Sequence, residues 1–260
     1  MTILDQLADY ARLRVEEAKK LLPPEELHRQ ALSLPKGDFP FEKALQKDGI
    51  SLICECKRAS PSKGLIAPEF PYLQIAKEYE AGGADCISVL TEPKWFLGSD
   101  QYLREIAGTV SVPCLRKDFT VDKYMIDQAK VLGAAAVLLI CAILTEEQIK
   151  AYLSLCDELG LSALVEVHDE RETKTALRAG ARIIGVNNRN LKDFSINPDN
   201  SRRLRAMVPR EVLFISESGV KGPEDVAKLR QMGADGVLVG ETLMRAQDKK
   251  VALAELRGGV

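Results

Sequence analysis

Lysines and glutamates stand where short apolar runs end. The run Ser51-Leu-Ile-Cys-Glu-Cys-Lys finishes with Glu55 and Lys57, and Val112-Pro-Cys-Leu continues into Arg116, Lys117 and Asp118. The run from Leu161 carries Glu166, the one after Gly180 ends in Asn187, and the one from Val212 ends in Glu217 and Ser218. Alternate residues of a strand share a face, so Lys57 lies with Glu55, Lys117 with Leu115, Glu166 with Leu164 and Glu217 with Ile215. A lysine among carboxylates can protonate a developing alkoxide, and a neighbouring glutamate can take a proton from carbon or help hydroxide leave. The same lysines would also serve a Schiff-base aldolase, which the residues alone leave open.

A second group suits phosphate. Glu217-Ser-Gly-Val and Val239-Gly-Glu-Thr-Leu-Met each put glycine directly after an apolar run, where backbone amides can approach an anion closely. Ser218, Gly219, Gly240 and Glu241 would give their N–H groups, with the Ser218 hydroxyl as a further donor. The Glu241 carboxylate must then point away.

An internal repeat shows what could bring these residues together. Gly83-Ala-Asp-Cys-Ile-Ser-Val-Leu, Gly133-Ala-Ala-Ala-Val-Leu-Leu-Ile, Gly180-Ala-Arg-Ile-Ile-Gly-Val-Asn and Gly233-Ala-Asp-Gly-Val-Leu-Val-Gly read alike. Their glycines are 50, 47 and 53 residues apart, which fits two helix-plus-strand units of about 25–30 residues, not one. Unlike apolar runs at residues 51, 112, 161 and 212 fill the alternate places, giving eight strands. Helical patterns separate them, among them Tyr72–Ala81, Glu146–Glu158 and Glu224–Met232. Eight nearly continuous apolar strands alternating with eight helices predict an α/β fold, a (β/α)₈ TIM barrel rather than an open doubly wound sheet. The barrel is expected over 49–250. An N-terminal helical extension covers 1–48, with an amphipathic helix over Ile3–Leu22 ended by Pro23-Pro24, and 1–260 forms a single domain. In such a barrel the chemistry sits at the C-terminal strand ends, where these charges are. A charge facing the helix layer would be costly there, so the mouth is where they are expected.

Composition narrows the partners. Lys+Arg 36 against Asp+Glu 38 leaves a net charge of −2, with no basic excess for a nucleic-acid backbone or an anionic membrane. The longest apolar stretch, Ala134–Ile143, is too short to span a bilayer, so a cytoplasmic chain is expected. Six cysteines, at 54, 56, 86, 114, 141 and 156, lack metal-site spacing and read as reduced core thiols, with Cys54 and Cys56 facing the helices. No metal site is expected. His168, on the same strand parity as Glu166, reads as a helix-entry residue or one behind the groups that touch substrate, and not as a base or metal ligand; Lys63 reads as a solvated or site-covering charge.

The run Cys54-Glu-Cys-Lys-Arg-Ala-Ser-Pro-Ser-Lys-Gly64 resembles the ExKRxSPSxG signature of the indole-3-glycerol phosphate synthases of tryptophan biosynthesis. The resemblance continues through Ser88-Val-Leu-Thr-Glu, Trp95-Phe-Leu-Gly-Ser, Leu115-Arg-Lys-Asp-Phe, Leu164-Val-Glu-Val-His, Ile184-Gly-Val-Asn-Asn-Arg-Asn-Leu, Ile215-Ser-Glu-Ser-Gly and Val239-Gly-Glu-Thr-Leu-Met. It covers residues from about 50 to 245 and is to the monofunctional form. It implies a carboxy-lyase without a cofactor, closing the indole ring of 1-(2-carboxyphenylamino)-1-deoxyribulose 5-phosphate with loss of carbon dioxide and water. By motif position, Lys117 is the general acid at the ketone oxygen and Glu166 its partner in dehydration. Lys57 binds the anthranilate carboxylate or shares acid duty, and which lysine acts at which step stays open. Glu55 tunes Lys57, while Asn187, Glu217 and Ser218 orient the substrate. Ser60 helps place the carboxylate. Phe96, Phe119, Leu138 and Leu191 are candidate walls for the aromatic ring, and Gly219, Gly240 and Glu241 for the phosphate. Arg189 belongs near the phosphate or in the rim. The implied partner is a phosphorylated small molecule; association with other enzymes of the pathway is not legible.

Overall fold

A computed structural model describes residues 2–191 and 193–258. Eight strands, β1 (Ser51–Cys56), β2 (Cys86–Leu90), β3 (Cys114–Lys117), β4 (Ala136–Ile140), β5 (Ser162–Val167), β6 (Ile183–Asn187), β7 (Leu213–Glu217) and β8 (Gly236–Val239), are all parallel. β1 pairs with both β2 and β8, so the sheet closes into the expected eight-stranded barrel. The helices between strands are α4 (Tyr72–Ala81), α5 (Asp100–Ala107), α6 (Tyr124–Val131), α7 (Glu146–Leu159), α8 (Glu170–Ala179), α9 (Asp199–Arg205) and α10 (Pro223–Gln231). Two helices, α11 (Glu241–Arg245) and α12 (Lys249–Arg257), follow β8 where the sequence pattern gave one.

The Gly-Ala repeat is a helix stop. Gly83, Gly133, Gly180 and Gly233 all have φ between +81° and +89°, a left-handed conformation that glycine adopts without strain. Each donates its N–H to the carbonyl three residues back, and each following alanine, at 84, 134, 181 and 234, to the carbonyl five back. That is the Schellman arrangement, which satisfies the open carbonyls of α4, α6, α8 and α10 and turns the chain into the next strand.

Inward and outward faces follow strand parity. Ile53, Cys86, Leu115, Leu164, Ile183, Ile215 and Leu238 pack inside the barrel, whereas Cys54, Cys56, Val165, Ile184 and Phe214 pack against the helices. All six cysteines are buried and unpaired. Arg116 corrects the expectation that the charges at the end of β3 all face the mouth. It points outward and is 2% exposed. Its guanidinium donates to Asp100 Oδ1, Gln128 Oε1 and the Met125 carbonyl, each at 2.8 Å, and these partners offset the burial of its charge.

The expected helical extension consists of α1 (Ile3–Leu21), α2 (Pro24–Ser33) and α3 (Pro40–Leu45), and Pro24 opens α2 at its first turn. It reaches both ends of the barrel. Phe41, Ala44 and Leu45 of α3 join the inner core at the N-terminal strand ends, where Ser51 Oγ donates to the Ala44 carbonyl. α2 packs along α6, and α1 lies over the mouth. α1 is held by Arg14, which binds buried Asp118 through both oxygens at 3.0 and 2.6 Å. Burial alone would raise the Asp118 pKa, but Arg14, Arg116 and Thr91 hold it below the usual carboxylate range. Its stabilisation is therefore present above that range and lost as pH falls through it. Arg14→Ala is expected to cost about 3 kcal/mol at neutral pH by stranding this carboxylate, and less in acid; urea unfolding at pH 7.5 and pH 4 checks both.

Candidate active site

The charges cluster one pleat above the inner apolar layer. Glu55, Glu166 and Glu217 are 2–3% exposed, and the Lys117 ammonium stands among them, 3.8 Å from Glu166 Oε2 and 3.6 Å from Glu217 Oε2. The Lys57 ammonium donates to Glu55 Oε2. Burial alone would lower the Lys117 pKa, but Glu217, Glu166 and Glu55 raise it, so the side chain stays a cation. Glu55 falls below the ordinary carboxylate range because Lys57 and Lys117 outweigh its burial.

The two glutamates beside Lys117 differ sharply. Burial raises Glu217 to about 7; Lys117 opposes this, while Glu166 and Glu55 add to it. Its Oε1 is buried and has no hydrogen-bond partner among the described residues. Glu166 moves the other way: burial is outweighed by His168, Lys117 and Asn187. Of the two, Glu217 is the carboxylate whose surroundings favour the protonated form.

Neighbouring groups fix the orientations. Asn187 Oδ1 accepts from Ser218 Oγ and from the Arg189 N–H, each at 3.0 Å, which turns the Asn187 Nδ2 toward Glu166 Oε1 at 3.3 Å. The Ser218 hydroxyl is thus spent on Asn187, not held free as an extra phosphate donor. Ser218 and Gly219 have φ of +68° and +98°, which turns the chain sharply after β7. Two glycines make room for charge. A side chain at Gly185 would overlap Glu217 Oε1, and one at Gly240 would overlap Glu55 Oε2 and crowd Lys57 Nζ. Gly240 thus serves the Glu55–Lys57 pair as well as the loop it belongs to.

Above the charges opens a cavity of about 370 Å³. Every predicted site residue lines it: Glu55, Lys57, Ser60, Phe96, Lys117, Phe119, Glu166, Asn187, Arg189, Leu191, Glu217, Ser218, Gly219, Gly240 and Glu241, with Leu138 and Lys63. Phe96 and Phe119 form one wall, with ring centroids 6.0 Å apart. The loop bearing Phe96 is pinned by buried Glu92, whose carboxylate accepts the N–H groups of Lys94, Trp95 and Phe96 at 2.8–2.9 Å. Arg189 lies on the cavity and donates to the Phe194 carbonyl at 3.2 Å. Glu241 turns its carboxylate to Arg245 at 3.1 Å and Lys63 at 3.5 Å.

Other lining residues escaped the sequence reading. Ile3 and Leu7 of α1 close one side, Phe194 and Ile196 another, and Lys221 and Arg245 stand at the end formed by the loops after β7 and β8. The apolar stripe of α1 was visible as a pattern, but nothing in it says which end of a barrel it covers.

Comparison with known proteins gives one family. The family model "Indole-3-glycerol phosphate synthase" matches residues 4–256. A protein of that name from Ruminiclostridium cellulolyticum is 54% identical over 257 residues, 98% of this chain and 99% of that protein. Another, from Leuconostoc mesenteroides, is 54% identical over 261 residues, again 98% and 99% of the two chains. Among solved structures, thiamine phosphate pyrophosphorylase from Pyrococcus furiosus superposes with a TM-score of 0.61 at 18% identity, covering 80% of this chain and 94% of that one, a likeness of fold alone.

Proposed function

The chain belongs to the indole-3-glycerol phosphate synthase family and is a carboxy-lyase of that activity, and we propose how the mouth of its barrel divides the chemistry. The carboxylate-bearing ring carbon of the substrate attacks the sugar ketone, and the carbonyl electron pair moves to oxygen. Lys117 delivers a proton to that oxygen. Carbon dioxide then leaves, and its bonding pair returns to the ring. In the dehydration that follows, ionised Glu166 takes the proton from the adduct carbon while protonated Glu217 gives one to the departing hydroxide. The observation that carries this reading is the Lys117 ammonium held between two buried carboxylates, Glu166 and Glu217, and the directions in which their surroundings push the two groups agree with it. Lys57, oriented by Glu55, and Ser60 receive the substrate carboxylate, and Phe96, Phe119, Leu138 and Leu191 receive the aromatic ring. Arg189 helps close the phosphate end. The test is incubation with the carboxyphenylamino-deoxyribulose phosphate while indole fluorescence is followed. No product, or a borohydride-trapped adduct on Lys57 or Lys117, overturns the reading.

The phosphate belongs to the loops after β7 and β8, where Ser218, Gly219, Gly240 and Glu241 offer backbone amides beside Lys221 and Arg245. Gly219→Val is expected to raise KM at least about tenfold with kcat little changed, since it blocks approach to the amides. Gly240→Val should lower kcat as well, because its side chain displaces the Glu55–Lys57 pair. Steady-state kinetics with both variants separates the two effects.

Glu217 carries a stability cost that pH exposes. Its folded pKa lies above the ordinary carboxylate value, so the native state holds a proton that the unfolded chain releases, and stability falls as pH rises from about 4.5 to 7. Glu217→Gln is expected to raise Tm at pH 8, to change it little at pH 4.5, and to lower kcat. Thermal melts at the two pH values check the sign. Single-domain organisation over 1–260 and a cytoplasmic setting complete the proposal; six buried unpaired thiols suit a reducing compartment.

A further inference from the structure

His168 lies just beyond β5, two residues after Glu166 and on the same face. Its Nδ1 is 3.0 Å from Glu172 Oε2, and the same oxygen accepts the His168 backbone N–H at 2.8 Å. Glu172 is itself fixed by the start of α8, where its N–H donates to Asp169 Oδ1 at 2.8 Å. The other ring nitrogen, Nε2, is buried and 3.3 Å from Glu166 Oε1, too poorly aligned for a hydrogen bond but close enough for strong attraction. Asn187 Nδ2 approaches that same Oε1, while Oε2 faces Lys117. Both oxygens of Glu166 therefore have assigned neighbours, and His168 sets which way the carboxylate is turned. Starting α8 requires only the backbone of residue 168; a half-buried imidazole between two carboxylates exceeds that need.

We propose that His168 is a positioning residue: clamped by Glu172, its imidazole holds the Glu166 carboxylate in the orientation that presents Oε2 to Lys117 and the reacting adduct. This rests on the role given to Glu166 above. The groups facing Glu166 are His168 just past the end of its strand, Lys117 of β3, Asn187 of β6, Glu217 of β7 and Glu55 of β1, and Glu172 of α8 faces His168 from behind. Burial would strip the imidazole of its charge, but Glu166 and Glu172 raise its pKa to about 10, so it supports Glu166 as a cation.

The test uses His168→Phe, which keeps a ring of similar size, and Glu172→Gln, which keeps an acceptor for the His168 backbone N–H. The expected result for His168→Phe is a fall in kcat of about 10–100-fold with KM within about threefold of the parent. Loss of a neighbouring cation disfavours the ionised form, so the acid limb of the kcat/KM profile should move up by about one pH unit or more. Glu172→Gln should shift kcat and the limb in the same directions by less, and it carries the test alone where His168→Phe does not fold. A kcat within threefold of the parent overturns the proposal. So does a lower kcat with an unmoved pH profile, which marks a purely structural role. A carbon-13 titration of the Glu166 carboxyl in the substrate-free enzyme, assigned by its absence in Glu166→Gln, keeps the two readings apart. If Glu166→Gln turns over normally, proton transfer by Glu166 fails, while an upward-moved Glu166 titration in His168→Phe still upholds the clamp.

Discussion

Lys117→Ala is expected to lower kcat by about 10²–10⁴-fold, the range for removing a general acid. Lys117 is the cation shared by Glu166 and Glu217, and Lys57 is already committed to Glu55. The loss should extend to stability. A strand-end lysine read from sequence looks exposed and dispensable to the fold, yet this side chain is 15% exposed and stands among three buried carboxylates. Without it their ionisation becomes more costly, so the variant should be destabilised most above pH 7 and least in mild acid, where Glu217 holds a proton. Lys117→Met, similar in length and uncharged, separates chemistry from packing. A variant retaining more than a tenth of the parent turnover would remove Lys117 from the role.

Glu166→Gln is expected to drop kcat by about 10²-fold or more while KM stays near the parent value, since the amide keeps the shape of the carboxylate but cannot take the proton. The defect should fall after ring closure, with a decarboxylated, still hydroxylated intermediate accumulating in single-turnover quench experiments. The change should also lower the pKa of Glu217, because one of the charges raising it is gone. An increase in KM alone, with kcat unchanged, would make Glu166 a binding residue and move the abstraction of the adduct proton to Glu55 or Glu217.

Much of this was legible in the chain because it is local. The Gly-Ala pairs at 83, 133, 180 and 233 are helix stops built from bonds reaching no further than five residues, so the repeat can be read without knowing the fold. Strand alternation is equally local: once Leu115 faces inward, Lys117 does too, and the same holds for Glu166 and Glu217. The count of strands then implies closure. Relations between distant segments are not local, because they depend on register, twist and packing that no short stretch encodes. Lys117 meets Glu217 across 100 residues of chain. Arg116 finds three acceptors on α5 and α6, so a charge that looked costly against the helices is well placed there. The N-terminal extension reaches both ends of the barrel, because α1 and α3 answer to apolar surfaces that exist only after the barrel closes. The opposite directions in which Glu166 and Glu217 are pushed arise the same way: both are strand-end glutamates in sequence, but His168 and Asn187 converge on one of them while the other keeps a buried oxygen without a hydrogen-bond partner among the described residues.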